Sequence, residues 1–195
     1  MPSVDEFNRL PEQAAREALG ACCSSGRWID AVLAGRPYPG IDAMLAASDA
    51  AVEMFSQRDL GEALAGHPRI GDRRVTAGQP ERAGQPERAG QPKRAGRAGP
   101  AGPAPWSAQE QAGVAGAGPE LRQALADGNA AYERRFGHIY LACATGRNAA
   151  ELLDWLRQRL GNDAATEWRV VAAELAKINQ IRLRQLVGPR AGKTA

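Results

Sequence analysis

Apolar side chains recur along this chain at intervals of three and four, the period of a helix with one face in a core. Trp28, Ile29, Val32 and Leu33 form one such stripe, and Ile41, Met44, Leu45, Val52 and Phe55 form the next. Leu121, Leu125, Tyr132 and Phe136 mark a longer helix. Leu152, Leu153, Leu156 and Leu160 mark another, and Trp168, Val171, Leu175, Ile178 and Ile181 the last. Polar punctuation agrees with the stripes. Ser3-x-x-Glu6, Ser56-x-x-Asp59, Ser107-x-x-Glu110 and Asn148-x-x-Glu151 have capping-box spacing, where two side chains satisfy orphan N–H groups of a first turn. Pro11 fits the first turn of a helix running to about Cys22. Gly66 is placed as a left-handed stop after Leu60 and Leu64, and Gly137 and Gly161 also fall at helix ends. No run alternates apolar and polar in strand fashion. An all-α bundle of about nine short helices, one domain over residues 1–195, is expected.

One stretch breaks the pattern. From Ala77 the chain reads AGQPER, AGQPER, AGQPKR, and then decays through AGRAGP and AGPAP. Glycine and proline fall at fixed places and no apolar side chain exceeds alanine, so the segment cannot bury enough surface to offset its ordering entropy. Solenoid units need large apolar residues, and collagen needs glycine at every third position; neither fits. Residues 73–105 are expected to form a flexible linker, a disordered Gly/Pro/Arg-rich insertion.

Charge points to the same segment. The chain is +3 overall, yet residues 73–105 hold Arg73, Arg74, Arg82, Arg88, Lys93, Arg94 and Arg97 against only Glu81 and Glu87. The remainder is mildly acidic. A basic tether for nucleic acid or membrane is the alternative to a plain surface loop, but the cations are spread out and no aromatic is interleaved for base stacking. Nucleic acid is therefore not an expected partner. Nor is a membrane, because nothing approaches the roughly 18 apolar residues of a span and no leader segment opens the chain. Cys22, Cys23 and Cys143 are odd in number and lack C-x-x-C spacing, which fits reduced thiols in a soluble cytoplasmic protein.

The chemistry available is narrow. Two histidines without a H-x-x-x-H pair make a metal site unexpected. Glycine-rich phosphate loops and a nucleophile elbow are missing too. No metal and no cofactor are expected, and an enzyme of this kind would use acid–base and electrostatic groups alone. "GHPRIGD", from Gly66 to Asp72, puts His67 on a stiff corner before Pro68. It is either a helix C-terminal cation favoured by the macrodipole or an imidazole held for work near its ordinary pKa of about 6.5. In "WSAQEQAG", Glu110 is by spacing a cap, while Glu110 and Gln111 together offer polar groups to a heterocycle. Arg147 closes "FGHIYLACATGR" and is either a carboxylate clamp or a solvated cation. His138 reads as a surface or internally satisfied histidine.

"HPRIGD", "WSxxEQAG" and "NxxYxxxFGxxxLxCAxGR" (Asn129 to Arg147), in that order within a small helical chain, resemble the 2-oxo-4-hydroxy-4-carboxy-5-ureidoimidazoline (OHCU) decarboxylase family. "FNRL" at Phe7, "RP" at Arg36, "RLGND" at Arg159 and "ELAKINQIRL" at Glu174 extend the resemblance over nearly the whole chain outside residues 73–105. The resemblance implies a cofactor-free carboxy-lyase that forms S-allantoin and carbon dioxide in urate degradation, working as a homodimer. It makes His67 the catalytic histidine, with Glu110 beside it. It makes Pro68, Ser107, Ala108, Gln109, Gln111 and the segment Tyr140, Leu141, Ala142, Cys143 and Ala144 substrate-binding positions, with Arg147 where bacterial members carry arginine. Tyr140 stands where phenylalanine is common.

Such a substrate carries its own electron sink, since the carbon losing carbon dioxide adjoins a C=N unit. On that basis His67 is expected to be the electrostatic and proton-donating group, and Glu110 to accept a hydrogen bond from the substrate hydroxyl and to be able to take its proton as the ketone forms. A non-catalytic ligand-binding protein on the same scaffold is the competing class; its signature would be a broken His67, Glu110 or Gln111, and all three are present.

Overall fold

The structure, a computed structural model, describes residues 2–71 and 110–188. The expected linker at 73–105 lies outside the described residues, as do Asp72, Trp106, Ser107, Ala108 and Gln109. Nine helices and no strand occur among the described residues: α1 (Val4–Asn8), α2 (Glu12–Cys22), α3 (Gly26–Ala34), α4 (Ile41–Glu53), α5 (Gln57–Leu64), α6 (Ala112–Ala115), α7 (Pro119–Phe136), α8 (Ala149–Arg159) and α9 (Ala164–Leu186). No helix among them is long and apolar enough to cross a membrane.

Local chemistry sets most of the boundaries. Reciprocal capping boxes start α1 at Ser3 and Glu6, α5 at Ser56 and Asp59, and α8 at Asn148 and Glu151. Asp163 caps α9 through the Thr166 N–H at 2.8 Å. Gly137 ends α7 in the left-handed region, φ 76°, where a Cβ would be strained. Two boundary expectations need correcting. Pro11 is the residue before α2, not part of its first turn. Gly66 is not left-handed: α5 closes at Leu64 with Ala65 still right-handed, and Gly66 lies beyond it. What requires glycine there is space, because a Cβ on Gly66 would overlap the Ser24 hydroxyl.

The helices bury two apolar clusters. The first gathers Phe7, Leu19, Trp28, Val32, Met44, Leu60, Val171 and Leu175 from α1 to α5 and α9. Trp28 is fully buried and donates its Nε1–H to Ser48 Oγ at 3.1 Å, so its one polar atom is satisfied. The second joins Ile70, Val114, Leu125, Tyr132, Leu152 and Leu156 from the corner after α5, α6, α7 and α8. Between them runs a non-helical segment, 139–144, whose odd residues Ile139, Leu141 and Cys143 pack on the first cluster. Its even residues Tyr140, Ala142 and Ala144 belong to the second. Period two is the signature of an extended chain. This segment is an extended, non-helical stretch along the seam between the two clusters.

Candidate active site

The corner after α5 is braced from three directions. Gln111 Oε1 accepts the Gly71 N–H at 3.0 Å while its Nε2 donates to the Arg69 carbonyl at 3.4 Å. Asn129 Nδ2 donates to the Ile70 carbonyl at 2.9 Å. Arg69 forms a two-pronged ion pair with Glu133, at 2.5 and 2.7 Å. Gly71 turns out of the corner at φ 81°, which only glycine adopts without strain. The imidazole of His67 is thus carried by a loop that α7 and the stretch around Gln111 hold rigid.

A narrow hollow with about 20 Å³ of free volume opens beside that corner. His67, Pro68, Glu110, Gln111, Leu141, Ala142 and Ala144 line it. Groups from the corner, the start of α6 and the seam segment therefore converge, although more than 70 positions separate His67 from Leu141 in sequence. His67 as a residue is half-buried, but its Nε2 is closed to water and has no hydrogen-bond partner among the described residues. Burial pushes the imidazole down to about 3, and the nearby Arg182 guanidinium pushes the same way. His67 is neutral at physiological pH. The alternative of a helix-end cation does not describe it.

Glu110 lines the same hollow with both carboxylate oxygens occupied. Arg182 Nε donates to Oε1 at 2.7 Å and Nη2 to Oε2 at 2.8 Å. Arg182 is 2% exposed and donates its Nη1–H to the Cys22 carbonyl at 2.9 Å. The parallel fork is the strong, directional form of an ion pair, and it fixes the carboxylate while leaving each oxygen a second lone pair.

Three expected site residues stand elsewhere among the described groups. Arg147 does not line the hollow; its guanidinium lies 4.2 Å over the Trp155 ring. Tyr140 is buried behind the seam, its hydroxyl donating to the Leu152 carbonyl at 3.1 Å. Burial pushes this phenol up to about 12, so it is a neutral packing group. The Cys143 side chain is off the hollow as well, its thiol raised by burial. His138 is half-buried against Trp168, with ring centroids 4.9 Å apart. Among the described residues no group of histidine, cysteine and acidic side chains could hold a metal ion.

Arg182 was not singled out from the sequence, nor were Ile70, Ile178, Ile181 and Thr145, which complete the lining. A signal existed. Val171, Leu175, Ile178 and Arg182 follow the i, i+4, i+7, i+11 stripe of α9, so an arginine occupies a core position. A buried cation needs a paired anion.

Comparison with known proteins adds the following. The family model described as OHCU decarboxylase matches residues 8–184. A 2-oxo-4-hydroxy-4-carboxy-5-ureidoimidazoline decarboxylase of Haloferax volcanii is 22% identical over 94% of this chain and 95% of its own length. The uric acid degradation bifunctional protein TTL of Arabidopsis thaliana is 26% identical over 87% of this chain, which spans only 46% of that protein. A decarboxylase of the same name from Amia calva is 41% identical over 59 residues, 30% of this chain and 34% of its own. The fold matches a crystal structure of OHCU decarboxylase in the presence of (S)-allantoin, with a TM-score of 0.67 and 23% identity over 89% of this chain and 99% of that one. It also matches a crystal structure of (S)-allantoin synthase, with a TM-score of 0.63 and 16% identity over 95% of this chain and 54% of that one. With the family model spanning α2 to α9 and the hollow between them, the chain belongs to the OHCU decarboxylase family.

Proposed function

We propose that the protein decarboxylates 2-oxo-4-hydroxy-4-carboxy-5-ureidoimidazoline to S-allantoin without a cofactor, and that the hollow beside His67 is where it does so. One observation carries this: a neutral imidazole whose Nε2 has no hydrogen-bond partner among the described residues and a carboxylate anchored by Arg182 line the same hollow. The relatives named for this reaction support the substrate class.

The step needs no external sink. The C–C bond to the carboxylate breaks, carbon dioxide leaves, and the electron pair forms a C=C bond while the adjacent C=N pair passes to nitrogen, which takes a proton from solvent. The resulting enol then loses its hydroxyl proton and gains one at the neighbouring carbon, on one face, to give the ketone. Two groups can handle that transfer. The Glu110 oxygens are both engaged by Arg182, whereas His67 is neutral and its Nε2 has no hydrogen-bond partner among the described residues. His67 therefore takes the hydroxyl proton and returns it to carbon, which shifts its role from the donor expected at the outset to a shuttle. Glu110 accepts a hydrogen bond from the substrate, and the Arg182 fork holds it there.

Gln111 and the backbone of the seam segment read the ring and ureido edges. Pro68 stiffens the His67 corner and Arg147 acts from outside the lining. Ser107, Ala108 and Gln109 are proposed substrate contacts on the resemblance alone. A cytoplasmic homodimer is the proposed working form, to be checked by sedimentation.

The test couples urate oxidase and hydroxyisourate hydrolase to this protein and follows optical activity by circular dichroism. Rapid appearance of one allantoin enantiomer is expected; racemic product at the spontaneous rate would overturn the assignment.

A further inference from the structure

An extended segment with no strand beside it has a backbone problem. Its N–H and C=O groups have no ladder partners, yet buried ones need partners somewhere. In the seam segment two of these groups are taken by buried side chains from different helices. Arg159, the last residue of α8, donates Nη1–H to the Leu141 carbonyl at 2.6 Å. Glu174, midway along α9, accepts the Cys143 N–H on Oε2 at 2.9 Å.

Neither side chain can wander. Arg159 is 2% exposed, and its Nε donates to Glu167 Oε1 at 2.8 Å. The Tyr132 hydroxyl donates to that same oxygen, and Asn162 Nδ2 donates to Oε2 at 2.7 Å. Burial works against charge on Glu167, but hydrogen bonds from Arg159, Tyr132 and Asn162 outweigh it and lower its pKa. Glu174 is 1% exposed, and its second oxygen accepts from Lys177 Nζ at 2.5 Å.

Between the two anchored residues lies Ala142. It is buried and lines the hollow, and neither its N–H nor its C=O has a hydrogen-bond partner among the described residues. A donor and an acceptor on one residue match an –NH–CO– edge of a ureide.

We propose that Arg159 and Glu174 are positioning residues, which fix the seam segment from either side so that the Ala142 peptide groups meet a ureide edge of the substrate. The ligand's identity rests on the decarboxylase reading above; the clamp itself does not.

Steady-state kinetics on three variants and amide exchange on the wild type test it. Glu174→Met removes the acceptor at nearly constant volume and should raise KM about tenfold, the order of one hydrogen bond to a charged group, with kcat within about twofold. Glu174→Gln keeps an oxygen for the Cys143 N–H and should stay within about threefold of wild type. Arg159→Lys keeps the charge but cannot reach Glu167 and Leu141 together, and should behave like Glu174→Met. In the wild type the Cys143 amide should exchange slowly with or without (S)-allantoin. The Ala142 amide should slow markedly only when (S)-allantoin is bound.

Unchanged KM in Glu174→Met, equal effects of Met and Gln, or an Ala142 amide indifferent to (S)-allantoin would each overturn the proposal. The exchange measurement stands even where a variant fails to fold. A wild type that consumes no substrate, but whose Cys143 amide is protected and loses protection in Glu174→Met, removes the assigned activity and leaves the clamp. An unprotected Cys143 amide removes the clamp and leaves the activity.

Discussion

A histidine that is neutral at rest should show itself in the pH profile. Free imidazole protonates near 6.5, but burial and Arg182 bring His67 to about 3. kcat/KM should therefore stay flat from pH 8 down to pH 5; a fall with a midpoint near 6.5 would mean that the ring titrates normally. Stability follows the linked sign. Between about 3 and 6.5 the unfolded chain binds a proton that the native chain does not, so the His67 contribution is fully kept above 6.5 and erodes as pH falls through that window. His67→Asn should lessen the slope of urea midpoint against pH there, and should lower kcat by about 10²–10⁴-fold, the usual loss for an acid–base group. Gly66→Ala should displace the same ring by pushing on Ser24, with activity falling more than stability. A Gly66→Ala variant with wild-type turnover would separate the glycine from the site.

Position alone left His67, Glu110 and Gln111 with structural alternatives, and it was the order of the motifs around them that singled them out. Arg182, Glu174 and Arg159 each sit inside an apolar stripe, which marks the charge as buried but does not name its partner. Those partners are 72, 31 and 18 positions away along the chain, and one sequence carries no sign of such pairings.

At the scale of elements, capping boxes were legible and irregular segments were not. Asn148 accepts the Glu151 N–H at 3.0 Å, and Glu151 returns a bond to the Asn148 N–H at 2.8 Å. Asn148→Ala should cost about 1 kcal/mol in a denaturant titration, the common value for a lost N-cap, while KM is unchanged because Arg159 lies at the far end of α8. The segment 139–144 offered only "IYLACA", six apolar residues that suit a buried strand or a helix turn equally well. Its alternation between two clusters is set by helices at both ends of the chain, so the packing decides it and the local sequence does not. The same limit applied to Gly66, where the sequence shows a glycine but not the Ser24 hydroxyl pressed against it.

For the molecule as a whole, the hollow lies where the two apolar clusters meet, with Leu141 and Ile178 from one and Ile70, Ala142 and Ala144 from the other. Two of the thiols, Cys22 and Cys23, lie buried in the first cluster. Burial pushes Cys22 up to about 12 and Cys23 up to about 11, so iodoacetamide at pH 8 should spare both in the native protein and label them once urea unfolds it. Labelling of Cys22 or Cys23 at the rate of a free thiol would show the clusters parting. Removing residues 77–100 should leave kcat/KM within about twofold, since a change in loop length costs only about 0.6 kcal/mol per doubling. A severe loss on deletion would give the repeat a part in catalysis.

Glu167, Glu174, Ile178, Ile181 and Arg182 all ride on α9, an uninterrupted rod of 23 residues. Each residue along it turns the next by about 100°. A single insertion between Glu174 and Arg182 would swing the guanidinium a quarter-turn away from Glu110 while the carboxylate facing the seam stayed put. The spacing inside this rod is thus a ruler for the whole centre, and length variation among functional versions of the chain should accumulate in its connections and stop short of those eight steps.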